Sequence, residues 1–217
     1  QIAAHVLEAS EPDIEFSDGL FTVAGTDRTI TLVDVVKTAY KATALPPDIE
    51  PGLDETGMFT PQYWNWPTGV QACELEIDPD TGTTDIVKFI CIDDVGTVIN
   101  PLLLKAQMHG GILQGVGQAL MEDIVFDPDS GQLITGSFMD YCMPRAGDIC
   151  NFEIISAPIP TASNLIGAKG GGESGPTGAL PATINAVVDA LKPLGVDHID
   201  MPATPEKIWQ TIQNATS

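Results

Sequence analysis

The sequence predicts an α+β fold in which mixed sheets pack against helices. Strand-like segments occur in pairs joined by turn residues, and helix-like segments follow them without a regular alternation of strand and helix. A doubly wound parallel sheet would require that alternation. The chain has 217 residues, of which 43% are hydrophobic, so it is long enough to bury a sizeable core.

The chain is predicted to divide at a stretch without periodicity. Residues 45–67 mix proline, glycine, aspartate and aromatic residues, which is typical of a connecting loop. Residues 1–44 before it are predicted to form a small α/β subdomain. Residues 68–217 after it are predicted to form a larger α+β subdomain.

Turn residues and periodicity predict the secondary structure. The first part is expected to contain a strand–turn–strand unit over 15–23, with its turn at Asp18-Gly19, and a helix over 31–40 capped by Thr31. The second part is expected to begin with strands over 70–77 and 86–92 around a turn at 78–82, followed by a helix over 102–122 and by two short strands around a turn at 127–131. A strand over 152–155, a helix over 180–194 and a last helix that starts at Thr204-Pro205 complete it. In the first of the long strands, Glu74 and Glu76 fall on the face opposite Leu75. The 86–92 strand is predicted to be largely buried.

The 102–122 helix carries interior glycines at positions 110, 111, 115 and 117. Each glycine costs a helix about 1 kcal/mol relative to alanine. Four such costs need a reason. Close approach of another backbone, or of a flat ligand, would supply one.

The charge balance excludes one class of partner. The chain has 9 basic and 30 acidic residues, a formal net charge of -21. A nucleic-acid partner is not expected, because phosphate contacts need clustered lysine and arginine. No stretch approaches the roughly 18 apolar residues of a membrane span, and residues 1–5 lack the pattern of a signal peptide.

The cysteines predict a reducing environment. They show neither a CxxC pair nor a histidine at metal-ligand spacing, and they are Cys73, Cys91, Cys142 and Cys150. A metal site built by this chain alone is therefore not expected. Free and mostly buried thiols indicate the cytoplasm.

The glycine-rich turn over residues 167–175 has three possible interpretations. A Walker A loop would place lysine and serine or threonine after the last glycine, whereas Lys169 precedes the glycines. The glycines formally match GxGxxG, but the preceding strand is short and Asp189 comes too early to bind a ribose. Consecutive backbone N–H groups at a helix N-terminus favour the third interpretation, an anion- or cofactor-binding turn.

Glu173 lies in the middle of this turn, between residues with little side-chain bulk. A carboxylate there is open to a neighbouring ligand, and desolvation would make it more basic. The position suits equally well a first-turn glutamate that stabilises a helix dipole. The turn alone leaves both roles open.

A second polar segment leads into the 102–122 helix. It begins at a strand end near Asp94 and passes through the Asn100-Pro101 turn. Gln107 and Gln114 would present neutral amide donors and acceptors to a heterocycle, although such glutamines also serve packing or capping. His109 has no second ligand at suitable spacing, so it is not expected to bind a metal.

Three motifs, over residues 93–120, 137–146 and 169–189, occur in the order found in one family. They resemble the molybdenum hydroxylase family, which includes xanthine dehydrogenase, aldehyde oxidase and the large subunit of aerobic carbon monoxide dehydrogenase-like enzymes. The similarity runs from about residue 68 to residue 195, and residues 8–44 are compatible with it. It implies the C-terminal molybdopterin-binding part of such a large subunit.

The resemblance implies roles for individual residues. Glu173 would be the catalytic base beside the molybdenum. The pterin side of the same loop would be lined by Lys169, Gly170, Gly171 and Gly172. The molybdopterin cytosine dinucleotide would be held by Asp94, Val95, Ile99, Asn100 and Gln107. The sequence departs from the family at Gln71, where relatives often have histidine, and at Val95, where some have cysteine.

The resemblance also implies a larger assembly. The partners would be the missing N-terminal half of the same subunit and iron–sulfur and flavin subunits. The small-molecule substrate would be an aldehyde, an N-heterocycle or carbon monoxide. The isolated chain is expected neither to bind the cofactor tightly nor to turn over substrate. The alternative is a non-catalytic binding or interaction module that kept the fold, which the presence of Glu173 disfavours.

Overall fold

A computed structural model describes residues 1–61 and 63–216 and confirms the α+β class. The chain forms two compact units, Gln1–Thr60 and Pro61–Ser217. The division between them falls within the 45–67 stretch.

The first unit is a small sheet with helices. Its elements are α1 (Ile2–Val6), β1 (Ile14–Ser17), β2 (Leu20–Val23), β3 (Thr29–Thr31) and α2 (Leu32–Ala39), with short 3-10 turns at Glu11–Asp13 and Ala42–Ala44. The strands form an antiparallel sheet in the order β1-β2-β3. The predicted turn is confirmed, since Asp18 and Gly19 have φ values of 48° and 78°. The predicted cap is also confirmed, since Thr31 Oγ1 accepts a hydrogen bond from Asp34 N at 3.1 Å.

The second unit packs helices against one face of a mixed sheet. Its elements are β4 (Thr68–Ile77), β5 (Thr84–Asp94), α3 (Pro101–Leu120), β6 (Phe152–Ser156), α4 (Ser174–Leu191), a 3-10 turn (Lys192–Leu194) and α5 (Pro205–Thr216). The order is β4-β5-β6, with β4 and β5 antiparallel and β5 and β6 parallel. Consequently the start of β4 and the ends of β5 and β6 lie at one edge. The core of the second unit includes Phe89, Met108, Ile112, Val187 and Ile208.

The sheet buries one face only. In β4, Leu75 is half-buried while Glu74 and Glu76 are exposed, as the alternation predicts. In β5, Phe89 and Cys91 are fully buried, whereas Val87, Lys88 and Ile92 are exposed. The prediction of a largely buried strand is therefore wrong, because no layer of the unit covers the second face of β5 among the described residues.

Two further predictions are corrected. The helix predicted over 180–194 begins at Ser174, six residues earlier, and ends at Leu191. The turn at 127–131 is flanked by a single bridge between Phe126 and Leu133 rather than by two strands. The turn itself is held by the Asp127 carboxylate, whose Oδ1 accepts a hydrogen bond from Ser130 N at 2.7 Å.

The α3 glycines allow α3 and α4 to approach closely. A Cβ added to Gly111 would lie 3.0 Å from Gly175 Cα, and one added to Gly115 would lie 2.8 Å from both Ala179 Cβ and Leu180 N. A Cβ added to Gly110 would have nothing within 4 Å. Backbone approach thus explains two of the four glycines in the way that the sequence suggests.

The described residues contain no helix that is both long and apolar enough to cross a membrane. They also contain no group of three or more His, Cys, Asp or Glu side chains placed to hold a metal ion. The four cysteines are free, as predicted. Cys91 is buried, Cys73 and Cys150 are half-buried, and Cys142 is exposed, which departs from the expectation of mostly buried thiols.

Candidate functional site

A cleft of about 560 Å³ opens where the polar edge of the sheet meets the glycine-rich turn and the first turn of α4. Backbone without side chains lines it at Gly69, Gly170, Gly172 and Gly178. Its polar side chains are Asn65, Thr68, Gln71, Asp93, Glu173, Ser174 and Thr177. Its size is in the range of ligand pockets, which are about 300–1,000 Å³.

Strand alternation brings Gln71 and Asp93 to this edge. Gln71 precedes the inward-facing Cys73 by two positions, and Asp93 follows the inward-facing Cys91 by two. The buried face of the sheet therefore changes from apolar to polar as it reaches the cleft. Gly69 is paired with Asp93, and a Cβ there would collide with the Asp93 carboxylate.

The Asp93 carboxylate accepts a hydrogen bond from Cys91 Sγ at 2.8 Å. Burial, together with this carboxylate, raises the pKa of the Cys91 thiol to about 12. Cys91 consequently stays protonated and acts as a donor, which helps to satisfy an acidic side chain that is only 5% exposed.

Glu173 occupies the N-cap position of α4, but its side chain makes no capping hydrogen bond. Its backbone carbonyl is occupied instead, since it accepts hydrogen bonds from Thr177 Oγ1 at 2.7 Å and from Thr177 N at 3.3 Å. The carboxylate is on an exposed residue that lines the cleft. The geometry thus leaves this carboxylate available to a ligand.

The glycine-rich turn is fixed by bonds to the chain that follows β5. Thr97 N donates to Gly167 O, and Lys169 N donates to Val95 O, both at 2.9 Å. A Cβ on Gly171 would lie 3.0 Å from Val95 Cγ1, so Gly171 faces the core. A Cβ on Gly170 would meet nothing within 4 Å, so that part of the turn stays open.

Lys169 and Asp94 form an ion pair beneath this turn. Lys169 Nζ lies 2.6 Å from Asp94 Oδ2, and the side chains are 13% and 12% exposed. Asp94 Oδ1 also accepts hydrogen bonds from Gly96 N at 2.8 Å and Ile159 N at 2.9 Å. The hydrogen bond from Lys169, together with these backbone donors, lowers the pKa of Asp94 to about 2. The pair therefore holds three stretches of backbone together.

The remaining predicted residues lie at the start of α3. Asn100 caps this helix, with Oδ1 accepting from Leu103 N at 3.1 Å. Ile99 is 73% exposed. The Gln107 side chain is near the turn, with Nε2 3.7 Å from the position of a Cβ on Gly172.

The predicted residues thus form three groups. The cleft is lined by Gly170, Gly172 and Glu173. The core side of the turn holds Asp94, Val95, Lys169 and Gly171. The first part of α3 and the turn before it carry Ile99, Asn100 and Gln107.

Glu173 is the only polar side chain of the cleft that the sequence predicted as a site residue, and the most informative of those it missed are Asp93, Gln71 and Ser174. Asp93 and Gln71 were detectable as polar residues at inward positions of alternating strands. Ser174 carried no such signal beyond being next to Glu173. Gln71 Oε1 and Ser174 Oγ are both buried without a hydrogen-bond partner. Buried polar atoms of this kind require an explanation, and a ligand is one.

The chain belongs to the molybdopterin cofactor-binding domain family, which it matches over residues 1–150. It is 36% identical over 214 residues to the carbon monoxide dehydrogenase large chain of Hydrogenophaga pseudoflava, covering 98% of this chain and 26% of that protein. It is 37% identical over 209 residues to the nicotine 6-hydroxylase large subunit of Paenarthrobacter nicotinovorans, covering 95% and 26%.

A solved structure gives the same result. Quinoline 2-oxidoreductase from Pseudomonas putida 86 matches with a TM-score of 0.88 and 38% identity, covering 98% of this chain and 27% of that one. The resemblance to molybdenum hydroxylase large subunits is thereby confirmed. The chain spans about a quarter of the length of these relatives.

The cleft fits a molybdopterin cofactor. A pterin is a flat heterocycle whose edge carries hydrogen-bond donors and acceptors, and the cleft offers an unpartnered acceptor and an unpartnered hydroxyl at Gln71 and Ser174. Gly170 adds backbone with no side chain above it. A flat ring can therefore approach the turn closely.

Proposed function

We propose that this chain supplies the catalytic glutamate and part of the molybdopterin site of a molybdenum-dependent oxidoreductase. The observation that carries the proposal is the Glu173 carboxylate, which has no capping role and lines a cleft with two unpartnered buried polar atoms. The relatives, named as a dehydrogenase, a hydroxylase and an oxidoreductase, support this reaction class.

Glu173 acts in this proposal as a general base. When bound, the molybdenum cofactor supplies the acceptor for the two electrons removed from the substrate. Glu173 accepts a proton at a carboxylate oxygen, because nothing in the first turn of α4 occupies its side chain. Gly170 and Gly172 leave the approach to this carboxylate clear.

We extend the proposal to the cytosine dinucleotide form of the cofactor. Asn100 starts a helix of 20 residues, and the N-terminus of such a helix favours phosphate groups. The exposed Ile99 and Gln107 lie on the same stretch and offer an apolar and an amide contact. Asp94, Val95, Lys169 and Gly171 act beneath the turn by fixing its path.

The partners and the substrate belong to the same proposal. The chain would work with the rest of a large subunit and with iron–sulfur and flavin subunits, in the cytoplasm, where the four free cysteines stay reduced. The names of the relatives favour a small molecule as substrate, either carbon monoxide or an N-heterocycle, with aldehydes as the third class that the family resemblance implies.

The test is Glu173→Gln in the assembled holoenzyme. Turnover should fall by about 10²-fold or more, the usual effect of removing a general base, with molybdenum and pterin content unchanged. Glu74→Gln makes the same chemical change on the exposed face of β4 and should leave both quantities unaltered. Near-normal turnover of the Glu173 variant would exclude the catalytic role and favour the non-catalytic binding module.

A further inference from the structure

Gln71 ties the sheet to the first turn of α4. Its Nε2 donates to Ser174 O at 2.9 Å and to Gly175 O at 3.0 Å. Only this orientation of the amide is chemically reasonable, because the flipped form would place Oε1 against two carbonyl oxygens. The absence of a side chain at Gly178 makes room for the amide, since a Cβ there would lie 2.6 Å from Gln71 Cδ.

The first half of α4 needs such a contact. It contains Gly175, Gly178 and the interior Pro181, residues that weaken or interrupt an isolated helix. Pro181 also lacks the N–H that would bond to the carbonyl of Thr177. The position of Glu173, at the start of this helix, therefore depends on neighbouring elements. From β4, the Gln71 side chain donates two hydrogen bonds to backbone carbonyls of the first turn of α4.

The oxygen of the Gln71 amide, unlike its nitrogen, has no hydrogen-bond partner among the described residues. Gln71 Oε1 is buried and has no hydrogen-bond partner, and the residue lines the cleft together with Glu173. A buried unpaired acceptor destabilises a protein unless a ligand or water supplies a donor. The donor that fits must carry an N–H or O–H group and must enter the cleft beside the carboxylate.

We propose that Gln71 has two linked roles in this cleft. Through Nε2 it is a positioning residue that fixes the turn carrying Glu173, and through Oε1 it accepts a hydrogen bond from a heterocyclic N–H group. This inference rests on the proposed function. The N–H group belongs either to the pterin of the cofactor or to an N-heterocyclic substrate.

Two variants of Gln71 test these roles in the holoenzyme. Gln71→Met keeps the length of the side chain but removes both donor and acceptor, whereas Gln71→His keeps one N–H donor and one nitrogen acceptor. Gln118→Met, on the exposed face of α3, is the matched control. The measurements are molybdenum and pterin content, kcat, KM and the thermal unfolding midpoint.

The methionine variant should lose about 10²-fold in kcat, the cost of a displaced catalytic group, and the histidine variant should recover most of it. If the donor is the pterin, the methionine variant should also lose cofactor. If the donor is the substrate, the KM of the methionine variant should rise for a substrate with a heterocyclic N–H group and should not rise for its N-methyl analogue.

The inference is overturned if both Gln71 variants match the wild-type enzyme, or if histidine and methionine impair it equally. Either result leaves the proposed function standing as long as Glu173→Gln still removes turnover. Retained turnover in Glu173→Gln would remove the proposed function whatever the Gln71 variants do.

Discussion

Two glycine-to-alanine changes within α3 should have opposite effects on stability. Gly110 and Gly115 both lie inside this helix of 20 residues, so alanine should improve helix propensity at each by about 1 kcal/mol. At Gly110 the new methyl group meets nothing within 4 Å. At Gly115 it would lie 2.8 Å from Leu180 N and 2.8 Å from Ala179 Cβ.

The difference between the variants isolates the packing cost. Because Leu180 N is backbone inside α4, the contact with the new methyl group can be relieved only by a shift of one helix against the other. Overpacking of this kind costs about 1–3 kcal/mol. The propensity gain is common to both variants and cancels. Gly110→Ala should therefore be more stable than Gly115→Ala by about 1–3 kcal/mol, and more stable than the wild type.

Urea-induced unfolding of the three proteins, followed by far-ultraviolet circular dichroism, measures this difference. The slope of the unfolding free energy against urea concentration should stay constant, so that the midpoints report stability directly. Equal midpoints for Gly110→Ala and Gly115→Ala would show that α3 and α4 do not approach as closely as the glycines indicate.

The remaining predictions concern charge and thiol reactivity. The pKa of Asp94 is lowered to about 2, below the roughly 3.9 of an unfolded chain, so its stabilising effect is complete above pH 4 and is lost as the pH falls through 2. The difference in urea midpoint between wild type and Asp94→Asn should accordingly be largest above pH 4 and shrink towards pH 2; a pH-independent difference would contradict the assignment. Cys142 is exposed, whereas burial raises the pKa of Cys73 to about 11 and that of Cys91 to about 12. A thiol reagent at pH 8 should label Cys142 before Cys73 and Cys91, and Cys142→Ser should abolish the fast phase.

Features set by local chemistry were predictable from the sequence. The Asp18-Gly19 turn and the Thr31 cap each depend on residues within a few positions of one another. The hairpin of β4 and β5 and the exposure of Glu74 follow from a turn and an alternating pattern. For Glu173, local chemistry left the choice between a catalytic base and a helix-dipole residue open, and the family resemblance favoured the base.

Features set by distant contacts were not predictable in the same way. Asp94 and Lys169 are 75 positions apart, and nothing near either residue shows that they pair. The one-sided burial of β5 depends on which elements cover the sheet. The unpartnered Oε1 of Gln71 depends on a helix that lies about 100 residues later.

At the start of α4, local propensity and distant contacts favour different structures, and this conflict lies at the site. Local propensity is poor there because of Gly175, Gly178 and Pro181, and for that reason the sequence predicts the helix six residues too late. Gly175 also lets α4 approach α3 closely, since a Cβ on it would lie 2.8 Å from Gly111 Cα. A sequence of better helix formers would keep the two backbones apart and would change the position of Glu173 in the cleft. Conflict between local propensity and observed structure is expected at functional sites, and here it coincides with the residue proposed as the base.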